Sequence, residues 1–269
     1  GSTSLVGGAG TKYNSSYTDK TYARIDGGTS NPGYFTEKPS TFSTDSWATI
    51  VSSVKAGNTR GYKVGETKTI DLGTTYGTHT LRIANTTTPS ECNASGFSQS
   101  ACGFVLEFAD IILYKEFNSS TSNTGGWSSS ELRTFINNDI YNALPVDLRN
   151  IIIDTIVVSG HGKSDSTNFV TTDKLYLLAP KEIFSNWSNS YDTAKSLTRT
   201  FDYYISAGVT TSNYSGAKKY KGTSAYYWWL RSAYSTSNSD FFRVNRSGGW
   251  SGSNTATAAN GVSPAFRIG

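Results

Sequence analysis

The sequence predicts a single mixed α+β domain of two modest helices, many short antiparallel strands and long loops, and three observations carry that expectation. The charged fraction is 16%, below the roughly 25% of an average soluble protein, while Gly, Ser, Thr, Asn and Tyr are abundant, which favours strands and turns over long helices. Only two well-marked segments place apolar residues at helical spacing, and short strand-like runs recur around them. Within 42–268 there is no fixed repeat and no composition break that would mark a domain boundary. A chain of 269 residues is long enough to bury most of the surface its unfolded form exposes.

Residues 1–41 are rich in Gly, Ser, Thr and Tyr and punctuated by Pro32 and Pro39, and are expected to form a loosely packed lead-in to a domain spanning 42–269. Asp45-Ser46 then precedes Trp47, Ile50, Val51 and Val54, one apolar helix face with Gly57 just past its end. Strands are expected at 62–64, 67–72 and 79–84, the last alternating in the period-2 manner of a half-buried strand. The apolar run 103–113 predicts a buried strand with its exit. Ser128 followed by Glu131 forms a capping-box pattern for a second helix, which buries Leu132, Phe135, Ile136 and Ile140 and stops at Pro145. A helical turn at 147–150, strands at 151–158 and 175–178, and a helix within 193–204 complete the middle of the chain.

Most catalytic and metal chemistries find no matching pattern. No Gly-x-Ser-x-Gly elbow presents a serine nucleophile. His161, in SGHGK after a strand, and His79 at a strand start are read as structural, so no catalytic residue is assigned. Gly7-Gly8-Ala9-Gly10 lacks the Gly-Lys-Ser/Thr of a phosphate loop. The two cysteines and two histidines do not form ligand pairs for zinc. Asp165, Asp173 and Asp240 belong to no calcium loop, so no metal and no cofactor is expected. Lys and Arg exceed Asp and Glu by 24 to 20, a net charge of +4, but the basic residues are scattered rather than gathered in a stripe, which argues against nucleic acid. No run approaches the roughly 18 apolar residues of a membrane span. The chain opens Gly1-Ser2, lacks methionine, and reads as trimmed at its start, any signal peptide or lipid anchor having been removed. The spacing of Cys92 and Cys102 permits a disulfide that would suit an oxidising, extracellular setting; two free thiols are the alternative.

The richest segment is 226–268, where the strands YYWWL and PAFRI bracket a run of Ser, Thr, Asn, Gly and Ala. Tyr234, Phe241, Phe242, Trp250, Arg243 and Arg246 are set into it, combining rigid aromatic area with bidentate donors and adaptable polar groups as antibody loops do. A flexible linker of that composition would not end in an apolar strand. Trp127, Trp187, Trp228, Trp229 and Trp250 also offer ring faces for carbohydrate, unless they are core; the adjacent Trp228 and Trp229 must point to opposite faces of a strand.

The motifs YWWLRS at 227–232, FFRV at 241–244 and the ending GVSPAFRI resemble bacterial and prophage proteins of the C-type lectin-like fold that are targets of diversity-generating retroelements. The runs YKVGETKTIDL, TLRIAN, ACGFVLEFADII, GGWSSSELRTFINNDIYNALP and DKLYLLAPKEI extend the resemblance over roughly 42–268. It implies a C-type lectin-like fold of the formylglycine-generating-enzyme-like subclass, with a hypervariable C-terminal region at about 232–260. In such systems a template is copied with errors at adenines, so that asparagine codons become a polar set. The resemblance implies that Thr236, Asn238, Ser239, Asp240, Phe242, Arg243, Asn245, Arg246, Gly249, Gly252, Asn254, Thr255 and Thr257 are the diversified, ligand-contacting positions. Trp228, Trp229, Phe241, Val244 and Trp250 would anchor the scaffold. The oxidases of the same fold class use a cysteine pair in the C-terminal part of the fold, which has none here.

The resulting expectation is a non-enzymatic, receptor- or adhesin-like binding protein at the bacterial cell surface or outside it, or on a phage particle. Its partner would be a protein or glycan held by the variable surface. The alternatives are a carbohydrate-binding adhesin of fixed specificity that uses tryptophans such as Trp187, and an oxidase-related enzyme.

Overall fold

The computed structural model of the protein describes residues 41–59, 61–252 and 254–269. The expected lead-in and its glycine run lie outside the described residues, position 41 excepted. The first predicted helix is α1 (Trp47–Lys55), where Ser46 accepts the Thr49 amide at 3.1 Å and Trp47 and Ile50 are buried. Gly57 follows with φ 65° and donates to the Val54 carbonyl, the left-handed exit that a residue with a Cβ disfavours. Strands β1 (Thr67–Asp71) and β2 (Thr78–Asn85) flank the short α2 (Gly73–Tyr76). The expected strand at 62–64 is instead a pair of turns, closed by Tyr62 donating to Thr59 and Glu66 to Lys63.

The apolar run at 103–113 divides into β3 (Val105–Phe108), a bend, and the start of β4 (Leu113–Lys115). The second helix begins later than its capping pattern suggested. Gly125 and Gly126, at φ 79° and 52°, turn the chain through 125–129 first, so Ser130 rather than Ser128 caps α3 (Glu131–Phe135). Ser130 accepts the Arg133 amide, while Glu131 takes the amide and hydroxyl of Ser119. A wider π turn (Ile136–Ile140) and α4 (Tyr141–Ala143) continue it, burying Leu132, Ile136 and Ile140, and α5 (Val146–Arg149) follows Pro145.

Only 155–159 of the expected strand at 151–158 joins a ladder, as β5 (Thr155–Ser159) against β6 (Phe169–Asp173). The run 175–178 is not a strand; Tyr176 makes one isolated bridge to Ala265. All four of its side chains are wholly buried, so its apolarity reflects burial on every side rather than a ladder. Two short helices, α6 (Pro180–Ile183) and α7 (Asp202–Ser206), flank the polar stretch in which a helix at 193–204 was expected.

The remaining strands are β7 (Lys219–Lys221), β8 (Ser224–Tyr226), β9 (Trp228–Ala233), β10 (Phe241–Val244), β11 (Trp250–Ser251), β12 (Asn260–Val262) and β13 (Ala265–Arg267). They complete a four-stranded sheet of order β1-β2-β3-β13, a five-stranded sheet of order β11-β10-β9-β12-β4, and two hairpins, β5-β6 and β7-β8. Every named pairing is antiparallel except β12 with β9. The fold is therefore α+β, built mostly of small antiparallel sheets. Its last residues join both larger sheets: β12 lies between β9 and β4, and β13 beside β3, so the loop-rich tract between β9 and β12 is held at both ends.

Cys92 and Cys102 are bonded, with Cα atoms 6.0 Å apart. Among the described residues, no helix is long and apolar enough to cross a membrane.

Candidate ligand-binding surface

The tract 232–260 rests on a frame with rings on both sides. On one face of β9 and β10, Phe241 stacks on Phe117 with centroids 3.6 Å apart, and Trp229 meets Phe117 edge-on at 5.4 Å. On the other face Phe242 lies among Trp187, Tyr234 and Trp250 at 5.1 to 6.2 Å. Trp228 and Trp229 do alternate, and both are wholly buried because both faces of the sheet are covered. Of the residues expected to anchor the scaffold, Trp228, Trp229, Phe241 and Val244 are wholly buried, while Trp250 is half-buried.

Phe242 is also wholly buried, which corrects its expected place among the displayed positions. That expectation rested on the resemblance, which set Phe241 and Val244 as anchors and Phe242 among the displayed positions. Trp187, arriving from the long loop after α6, supplies a second apolar layer that turns Phe242 inward.

Beneath this frame the ionic groups are engaged. Arg231 and Glu182, both wholly buried, meet through two bonds of 2.6 Å. Arg231 also donates to the carbonyls of Val158 and Leu177, and Glu182 accepts from Ser100, Thr198 and the Ala179 amide. A second cluster joins Glu107 to Arg82, Tyr204 and Lys219; the Lys219 ammonium sits 2.7 Å from Glu107, 2.6 Å from the Phe108 carbonyl and 2.9 Å from Ser263. Burial pushes Lys219 down to about 8 against the pull of Glu107. Burial pushes Glu107 up, but Arg82 and Lys219 outweigh it and hold its carboxyl below the ordinary range. Burial raises Asp192, although the Trp187 indole donates to it at 2.9 Å. These groups fix loops and strands to one another, and all but the partly exposed Arg82 are buried.

The loops of the tract are held through their backbones. The Asn123 amide donates to the Asn238 carbonyl at 2.8 Å, and its side-chain amide to the carbonyls of Ser237 and Asp240, both at 2.9 Å. Lys163 donates to the Ser237 carbonyl, Phe117 to the Ala256 carbonyl, and Ser235 to the Tyr191 carbonyl. These partners lie outside the tract; within it the Ser237 hydroxyl accepts the amides of Ser239 and Asp240, so the loop path rests on outside contacts and on Ser237 together. Thr236 makes no side-chain hydrogen bond among the described residues; the Asn238 side chain bonds only to Ser164, and those of Thr255 and Thr257 only to each other.

Of the thirteen expected positions, Thr236, Asn238, Arg246, Thr255 and Thr257 are exposed. Ser239, Asp240, Arg243, Asn245 and Asn254 are half-buried. Asn245 acts locally, since its Oδ1 accepts the amides of Ser247 and Gly249 and closes the turn after β10. Gly249 and Gly252 are buried, and a Cβ on Gly252 would meet the Tyr234 ring at 2.2 Å. Their neighbour Gly248, at φ 95° with the Tyr214 carbonyl where a Cβ would stand, is more constrained still.

Sequence inspection missed Tyr114, Tyr226 and Tyr227. The Arg243 guanidinium lies 4.0 Å from the Tyr227 centroid, Arg246 lies 4.8 Å from Tyr226, and Tyr226 lies 4.5 Å from Tyr114. The signal was present in Tyr226-Tyr227 beside β9, but Tyr114 comes from a strand more than a hundred residues away. Of the six tryptophans five are buried, Trp187 among them, so little indole surface is open to a sugar. Among the described residues no group of three His, Cys, Asp or Glu side chains could hold a metal ion.

A family model described as a domain of unknown function, DUF6273, matches residues 104–269. No curated protein and no solved structure matches the chain. The match begins just before β3, whereas β1 and β2 of the same sheet precede it.

Proposed function

The chain belongs to the DUF6273 family, and on that premise we propose that it is a ligand-binding protein whose tract 232–260 presents a variable recognition surface. The scaffold in this proposal is C-type lectin-like, and the variation is that of a retroelement target. The observation that carries it is the division within the tract: its backbone is held by outside partners such as Asn123 and by a few of its own side chains such as Ser237 and Asn245, while the side chains of Thr236, Asn238, Thr255 and Thr257 bond to nothing but hydroxyls. Such positions tolerate substitution at little cost in stability, which a diversified surface needs. The disulfide between Cys92 and Cys102 supports a location outside the cell. Recognition rather than turnover is the proposed mechanism, with arginine and aromatic anchors and small polar residues tuning the fit.

The test is a binding screen of the whole chain on protein and glycan arrays. It is repeated on a variant in which Thr236, Asn238, Thr255 and Thr257 are all exchanged for larger polar residues. A changed set of captured ligands with an unchanged melting temperature is expected, and an identical set sinks the proposal. A genome carrying a reverse transcriptase and an adenine-rich near-copy of these codons is the expected companion of the variation.

A further inference from the structure

Arg243 and Arg246 stand on tyrosine rings with no carboxylate against them. Among the described residues no ion pair involves either arginine, and Arg246 makes no side-chain hydrogen bond. Arg243 donates once, from Nη1 to Asn260 Oδ1 at 3.1 Å. Its Nε is buried without a partner, as is the side-chain amide nitrogen of Asn260, a residue 2% exposed. Stacking engages a guanidinium through its face and leaves its edge N–H groups to donate in the ring plane. The corner thus gathers two fixed positive charges; the Arg243 Nε and the Asn260 amide nitrogen are sealed inside, which leaves the N–H groups of Arg246 and the Nη groups of the half-buried Arg243 to meet a partner.

We propose that this corner is an oxyanion-accepting subsite that takes an Asp or Glu side chain of a protein partner. The inference rests on the ligand-binding proposal above and adds the chemistry of one contact. A carboxylate would meet the Arg243 and Arg246 edges, where bidentate bonds match its geometry. A protein fits better than a sugar. The rings of Tyr226 and Tyr227 are already engaged by Arg246, Arg243 and Tyr114, which limits stacking on a pyranose. Tyrosine and arginine packed together are also the residues that anchor protein interfaces.

The experiment titrates the whole chain, with labelled arginine, against hexaglutamate, hexaglutamine and a uronate oligosaccharide, following the arginine Nε–Hε signals. Hexaglutamate is expected to move the signals of Arg243 and Arg246, and hexaglutamine to leave them in place. Binding should weaken about tenfold between about 50 and about 300 mM salt, and about tenfold in Arg246→Gln. Arg246 is exposed, so that variant should keep the wild-type melting temperature. Arg243→Lys, which keeps the charge but loses the fork, should also weaken binding. Unmoved signals, or hexaglutamate binding indifferent to Arg246→Gln, overturn the subsite; tighter binding of the uronate overturns the protein partner. Either failure is distinct from that of the broader proposal, whose test exchanges four other residues and leaves both arginines in place.

Discussion

Arg231 and Arg243 belong to neighbouring strands of one sheet, yet their surroundings are opposite. Arg231 is sealed, with a bidentate carboxylate and two carbonyls around it. Arg243 has one amide oxygen, a tyrosine ring and an unpartnered Nε. The first arrangement fixes β9 to 158, 177 and 182 and leaves no donor for anything else. The second holds its guanidinium in place mainly by ring contact, which leaves polar capacity available. The same residue type is thus structural or receptive according to whether its counter-charge lies within the fold.

The sharpest break of this contrast is Glu182→Ala, which leaves the Arg231 charge buried and unpaired; a loss of about 3–5 kcal/mol is expected in urea unfolding. Next comes Phe242→Ala, expected to cost about 3 kcal/mol because the ring fills the layer under Trp187; an unchanged midpoint would return Phe242 to the displayed set. Replacing Cys92 and Cys102 together by serine should lower stability by about 2–3 kcal/mol, by releasing the closed loop in the unfolded chain.

The pH response of Lys219 is smaller per unit of pH. Its folded pKa, about 8, lies below the unfolded value near 10.5. Between those values the unfolded state binds more protons, so this group makes stability rise with pH, by at most about 1.4 kcal/mol per unit. Comparing the urea midpoints of wild type and Lys219→Met across that window should show wild type gaining on the variant as pH rises; parallel curves would contradict the shift. Smallest of all, Thr236→Ala, Thr255→Ala and Thr257→Ala should each stay within about 0.5 kcal/mol of wild type by thermal melting. A larger loss at any of them would move that threonine from the receptive class to the structural one.

The α+β class and the first helix were legible because composition and 3.6-residue spacing are local signals, as Trp47 and Ile50 show. The β9 and β13 strands were legible as apolar runs flanking a polar tract, whereas FFRV, which forms β10, entered only through the resemblance. The 175–178 run was misjudged because full burial erases the alternation that distinguishes a strand. The Ser128 cap failed because the two-glycine turn before it decides where the helix starts. At the surface, the exposed threonines, Asn238 and Arg246 follow from a polar tract between strands. Phe242 could not, since the layer that covers it comes from Trp187, fifty-five residues earlier. The tyrosine support under Arg246 likewise combines strands far apart in the chain.

Asn123 carries one further consequence. Its backbone and side-chain amides grip the 237–240 turn at three carbonyl oxygens, and every amino acid offers a carbonyl in that place. Apart from the Ser237 hydroxyl, which accepts the Ser239 and Asp240 amides, the shape of the turn is therefore written in a codon more than a hundred positions upstream of the letters that occupy it. A library that randomised Thr236 and Asn238 would sample chemistry at constant geometry, whereas one change at Asn123 would alter the geometry of every member at once.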